Sequence, residues 1–274
     1  MTSIASGEKA TQASVDGRFV GRAVVLFFAV GQLVSNVAFD LWSPTELQSG
    51  VEFSPLVPPG PMFAIWAVII ASSVLWAILQ IRPSVRDSAL RDRLVVPLSI
   101  VYARFALWLA AASLGQESPL TLVVFIAIVG AHFVAWRRIT QARDEVMQWK
   151  AFDRVVLYVS QGLYAGWTSM AFFVNIATVA QATGAPIDGT WGTTWQLLLI
   201  AAAAGAAVSF VLATGGSVWY ALAACYALVG AGISSSLGGF PALAGALGVG
   251  VALVVGSTIV VRAVTARRRA RVSR

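Results

Sequence analysis

Two ionisable side chains, Arg104 and His132, lie inside long apolar runs of this 274-residue chain. Arg104 sits about ten residues into its run, or roughly 15 Å deep at helical rise, close to the midplane of a bilayer core. An arginine at that depth is a functional candidate by default. It meets an anionic group of a ligand, or it pairs with internal groups such as Tyr102, Tyr164, Gln161 or backbone carbonyls, or it snorkels to the inner face. His132 lies about 10 Å from the inner surface on the same arithmetic and reads as a helix–helix hydrogen-bond partner or as a ligand-facing group. Trp66, Trp76, Trp108, Trp167 and Trp219 also fall within apolar runs. A buried indole N–H needs an acceptor, and Trp66, Trp108 and Trp167 together can line a cavity for a flat apolar molecule. Catalysis finds little to work with. The chain has one His and one Cys (Cys225), and no Asp or Glu lies deep in an apolar run. A nucleophile–base–acid triad in the membrane lacks its acid and a His/Cys metal cluster lacks its ligands. The expectation is no enzyme, no metal and no required cofactor.

The elements that must carry these side chains follow from composition. Hydrophobic types make up 58% of the chain and charged types 11%, too little charge to cover a soluble surface. Eight stretches are long and apolar enough to span a bilayer: roughly Phe19–Phe39, Pro61–Ile81, Leu94–Leu114, Pro119–Arg138, Val155–Ala180, Thr194–Thr214, Val218–Ser235 and Pro241–Val261. Pro61, Pro97, Pro119 and Pro241 fall in first helical turns, where a missing N–H costs nothing, and the other prolines fall in connections. The fold class is therefore all-α, a polytopic membrane bundle of about eight transmembrane helices. With eight spans, every one of the 19 Lys and Arg residues except Arg104 lies on one side. The other side holds only Asp40, Glu46, Glu52, Glu117 and Asp188. The positive-inside rule makes the basic side cytoplasmic, with both termini there. It also explains the basic balance without nucleic acid.

Residues 1–17 read as a disordered cytoplasmic tail, 18–180 as a five-helix core, 181–263 as three added membrane helices and 264–274 as a basic tail able to meet anionic lipid. Ala201-Gly205-Ser209 and Ala242-Ala246-Gly250 form rows of small residues suited to close helix packing within the chain. Trp42, Trp136, Trp149, Trp191 and Trp195 sit where interfacial indole belts are expected. The outer connection Phe39–Gly60 is long, acidic and proline-rich, the type of loop that serves as a lid. No internal repeat of the transporter type is visible.

Pro58-Pro59-Gly60-Pro61-Met62-Phe63-Ala64-Ile65-Trp66 resembles the entry to the second helix of the translocator-protein/tryptophan-rich sensory protein (TspO/MBR) family. Tyr164-x-x-Trp167, followed eight residues later by Asn175, resembles its fifth-helix signature, and Ala135-Trp136-Arg137 the end of its fourth helix. The chain is similar to a longer eight-helix form, with three helices after the TspO-like core. It departs from the family at the third helix, where Arg104 and Phe105 approach Trp108 and small residues Ala110–Ser113 follow it. The resemblance implies a membrane protein that binds, senses or carries a flat hydrophobic ligand, such as a tetrapyrrole or a sterol-like molecule, in an aromatic helical pocket. Phe63, Trp66, Trp108, Tyr164, Trp167 and Asn175 are the ligand-contact residues it implies, and Arg104 is added from the chain's own residues. Membrane lipid and a hydrophobic small molecule are the expected partners, with a homodimer or a membrane complex as a further arrangement. An organic-anion transporter and a structural subunit of a larger membrane complex remain the competing functions. The Ala/Val/Arg-rich usage is consistent with a bacterial plasma membrane.

Overall fold

In lipid a backbone must satisfy its own hydrogen bonds, so apolar runs of this length become helices. The computed structural model describes residues 2–42, 53–115 and 118–272. Among them are nine helices: α1 (Thr2–Trp42), α2 (Ile65–Gln80), α3 (Ala89–Ala112), α4 (Leu120–Gln141), the short α5 (Arg143–Gln148), α6 (Ala151–Ala182), α7 (Gly189–Ala213), α8 (Val218–Leu237) and α9 (Pro241–Val272). All except α5 contain a segment long and apolar enough to cross a membrane, giving eight spans. Burial is arranged for a lipid solvent. Large apolar side chains such as Phe27, Leu198 and Ile259 point outward, whereas Gln32, Gln161 and Arg91 are fully enclosed.

The helices form two rings that share α6. Neighbour contacts run α1–α2–α6–α4–α3 and back to α1 in the first ring, and α6–α8–α9–α7 and back to α6 in the second. The shared position shows in burial, since every residue of α6 from Ser160 to Thr168 is buried. Gly162 and Gly166, one turn apart, make this possible. A Cβ on Gly162 would lie 2.5 Å from the Trp219 Cβ, and one on Gly166 would lie 2.4 Å from the Tyr220 carbonyl oxygen. Only glycine lets α8 come this close.

Several expectations from sequence change here. α3 begins at Ala89, capped by the Ser88 hydroxyl, so Pro97 stands inside the helix and not in its first turn. Proline cannot donate to the carbonyl four residues back. That carbonyl, of Arg93, instead accepts a hydrogen bond from the Arg138 guanidinium of α4. The Ala201-Gly205-Ser209 row does not pack within the chain: all three residues are exposed, and nothing lies within 4 Å of a Cβ built on Gly205. In the other row only Gly250 is buried, against Ala204 and Leu228. α1 starts at Thr2, so the segment expected to be a disordered tail continues the first helix, and α9 likewise carries the basic tail to Val272. Residues 43–52 and 117 lie outside the described residues, and with them most of the expected lid and Glu46, Glu52 and Glu117.

The end of that outer connection is described and lies on α8. Ser235 donates to the Pro55 carbonyl at 2.7 Å, and Tyr226 donates to the Met62 carbonyl at 3.1 Å. A Cβ on Gly230 would meet Met62 Sδ at 2.7 Å and Pro58 Cβ at 2.8 Å, so this contact too requires glycine. Tyr226 and Gly230, four residues apart, share a face of α8, and the segment 53–62 contacts α8 there and at Ser235 as a strap leading into α2.

The packing predicts a contrast between two glycines. Gly166→Val forces a side chain into α8 backbone and should destabilise by about 1–3 kcal/mol. Gly205→Val meets nothing and should leave the melting temperature in detergent unchanged, so equal melting of the two variants would contradict the shared-helix arrangement.

Candidate ligand site

α2, α3, α4 and α6 carry aromatic residues at helical spacing: Phe105 and Trp108 on α3, Phe125 and His132 on α4, and Tyr164 and Trp167 on α6. A spacing of three or seven residues puts each pair on one face, turned toward the first ring. Trp66, in the first turn of α2, stands at the centre. Its ring centroid lies 4.9 Å from Phe105, 5.8 Å from Trp108, 5.6 Å from Tyr164 and 6.3 Å from Trp167. Phe63, in the 3-10 turn that leads into α2, meets the Trp167 ring edge-on at 5.6 Å. Trp108 reaches Phe125 at 5.8 Å. Tyr226 reaches Trp167 at 6.2 Å from the second ring of helices. Five of the seven residues expected from sequence, Phe63, Trp66, Trp108, Tyr164 and Trp167, thus meet in one cluster.

A polar layer adjoins it on the side of the basic helix ends. Tyr164 donates to Gln32 Oε1 at 2.8 Å, and Gln161 Nε2 donates to the Tyr102 hydroxyl at 3.1 Å. Tyr102 stacks on Tyr164 at 5.9 Å, and the His132 ring lies 5.0 Å from Tyr164. Trp136, expected in an interfacial belt, is buried and donates its indole N–H to the Gln161 carbonyl. The indole nitrogens of Trp66 and Trp167, both nitrogens of His132 and Gln161 Oε1 have no hydrogen-bond partner among the described residues.

The two remaining expected residues stand apart. Asn175 is two turns beyond Trp167, and its amide donates to the Ala171 carbonyl of its own helix at 2.9 Å. Arg104 is half-buried and makes no hydrogen bond, ion pair or ring contact with a described residue. The partners considered for it are engaged with other groups: Tyr102 with Gln161, and Tyr164 with Gln32. Sequence reading also missed Phe105, Phe125, Gln32 and Tyr226 as members. Phe105 was legible, three residues before Trp108, whereas Tyr226 joins only because Gly162 and Gly166 admit α8.

A second buried polar assembly closes the basic end. Arg22 of α1 donates to the carbonyls of Gln80, Val85, Arg86 and Ser88 at 2.8–3.2 Å and to Asp92 at 2.7 Å. It therefore ties the end of α2 and the following connection to α3. Arg91 lies between Trp76 and Trp149, its guanidinium carbon 4.9 and 4.1 Å from their ring centroids, and donates to Asp153 of α6 at 2.8 Å. Arg82 binds the same carboxylate. Read from sequence, Arg22 and Arg91 were topology anchors and Trp149 an interfacial indole. The fold makes the two arginines interior and leaves Trp149 half-buried against Arg91. Among the described residues no group of three or more His, Cys, Asp and Glu could hold a metal.

Removing one partner of a buried ion pair strands the other. Asp153→Ala leaves Arg91 enclosed without its counter-charge and should cost about 3–5 kcal/mol, read as a large fall in melting temperature in detergent. Asp188→Ala, outside any ion pair among the described residues, should leave it unchanged.

Nothing among curated proteins and nothing among solved structures matches the chain. A family described as TSPO-like protein matches it over residues 20–260, nearly the whole described length and both helix rings. This agrees with the eight spans and the aromatic cluster entered at Phe63 and Trp66, and the chain belongs to the TSPO-like family.

Proposed function

We propose that the protein binds a flat hydrophobic ligand, such as a tetrapyrrole or a sterol-like molecule, in the aromatic cluster, and senses or carries it. The observation behind this reading is Trp66, touched by four aromatic rings and buried with its indole N–H unpartnered. Offset and edge-on rings supply dispersion and quadrupole attraction to any flat π-system placed among them. The cluster rings touch one another, so a ligand enters by displacing ring from ring. A small apolar cavity of about 30 Å³, bounded by Leu56 of the strap, Met170 and Ala227, opens in the second ring one turn along α6 from Trp167.

A binding role is in keeping with the acids, since half-buried Asp92 and buried Asp153 are each held by arginines at the basic end, away from the cluster. On this reading the Arg-rich helix ends face the cytoplasm of a bacterial plasma membrane, the side that the positive-inside rule favours for basic segments, with both termini inside and membrane lipid as the surrounding partner. Organic-anion transport has one observation in its favour, the unpaired Arg104.

Titration of the protoporphyrin IX Soret band against protein in lipid nanodiscs tests the site. Loss of one stacking ring costs about 0.5–1.5 kcal/mol beyond area, so Trp66→Leu and Trp167→Leu should each weaken binding by about fivefold or more. Trp191→Leu, at an exposed ring on α7, should leave affinity as it is. Equal affinity in all four proteins would remove the cluster as the site.

A further inference from the structure

Five polar atoms in and beside the cluster have no hydrogen-bond partner among the described residues: the indole nitrogens of Trp66 and Trp167, both nitrogens of His132, and Gln161 Oε1. All four residues are buried. Their placement is defined by two contacts across α4 and α6. His132 lies against Tyr164 at 5.0 Å, and Trp136, one turn along α4, donates to the Gln161 carbonyl, one turn along α6. His132 therefore lies level with Tyr164 on the α4–α6 seam, and Gln161 lies one turn further along it toward the basic helix ends. Trp66 lies against the Tyr164 ring at 5.6 Å, and Trp167 lies against Trp66.

Buried polar groups normally find partners, and a hydrocarbon surrounding supplies none. Gln32, Tyr102 and Tyr164 in the same layer do find them. The unpartnered set is also uncharged. Its donors are the indole N–H groups and one imidazole N–H, and its acceptors are the other imidazole nitrogen and an amide oxygen. A carboxylate taken into this wall would lose its hydration with no cation to replace it. Arg22, Arg82 and Arg91 are committed to Asp92, Asp153 and backbone carbonyls, and Arg104 makes no hydrogen bond, ion pair or ring contact with a described residue.

We infer that the aromatic site recognises an uncharged flat ligand, whose hydroxyl, carbonyl or ring-nitrogen groups are met by His132 beside Tyr164 and by Gln161 one turn along, with the indole N–H groups of Trp66 and Trp167 as further donors. This rests on the reading of the cluster as a ligand site and narrows its chemistry. The polar floor selects neutral molecules that both give and take hydrogen bonds. Any carboxylates of a tetrapyrrole bound there must remain outside the floor.

The test compares protoporphyrin IX with its uncharged dimethyl ester by Soret titration in phosphatidylcholine nanodiscs. The ester should bind at least as tightly as the free acid. Leaving buried groups unpaired costs enough that His132→Leu should weaken ester binding by about tenfold, whereas Arg104→Leu should change it by less than about twofold. His132→Asn keeps a donor and an acceptor and should stay within about threefold of the native protein, which separates recognition from a folding defect. Free acid bound about tenfold more tightly than the ester, with that preference lost in Arg104→Leu, would overturn the neutral floor while leaving the cluster as a ligand site. Unchanged ester binding in His132→Leu would also overturn it, leaving these atoms to buried water. Absence of binding by both compounds would overturn the ligand reading and this inference together.

Discussion

The close approach of α8 to α6 is the constraint on which the rest of the molecule depends. Gly162 and Gly166 remove the side chains that would hold the helices apart, and the Tyr220 backbone occupies the space. In lipid there is little hydrophobic drive for two helices to associate, so area of close contact is what stabilises the pair. With α8 in place, α6 has no free face over Ser160–Thr168. Its glycines serve one ring of helices, and Tyr164 and Trp167 serve the other. The same arrangement brings Tyr226 to Trp167 and gives the strap a surface, so the second ring is part of the site's surroundings.

At the basic end, charge does what close packing does in the centre. Arg22 collects the carbonyls of Gln80, Val85, Arg86 and Ser88, between the end of α2 and the start of α3, together with Asp92. Helix ends leave their last carbonyls without internal partners, and an arginine satisfies several at once with its forked donors. Arg138 fills the gap that Pro97 creates in α3 by the same means. Arg91 is held by an acid and two indole faces, which replace the water that a buried guanidinium gives up. These positive charges are counted by topology, yet they work as internal fasteners among α1, α2, α3 and α6.

The centre of the first ring differs from both. It is aromatic, enclosed and uncharged, and its unsatisfied atoms are neutral donors and acceptors. A buried charge is costly unless paired, whereas a neutral polar group needs only one hydrogen-bonding neighbour. On the proposed ligand reading, it is the separation of a charged fastening layer from a neutral aromatic layer that selects among molecules. Arg104, alone at mid-depth in the sequence, belongs to neither layer.

Much of this was written in the linear order of residues. Hydropathy and the one-sided distribution of Lys and Arg determined eight crossings, because apolar length and loop charge are local properties of the chain. Pro58 to Trp66 and Tyr164 to Trp167 marked two walls of the cluster, since a helical spacing of three puts side chains on one face whatever lies opposite. Sequence could not say what lies opposite. Ala201-Gly205-Ser209 and Gly162-x-x-x-Gly166 are both small-residue rows, yet one is exposed and the other carries the closest helix contact. Arg104 and Arg91 are both arginines near apolar segments, and only the second is buried against an acid. Whether a helical face meets a partner or lipid depends on where the other helices stand. That is a property of long-range packing, so the tertiary structure alone decided it.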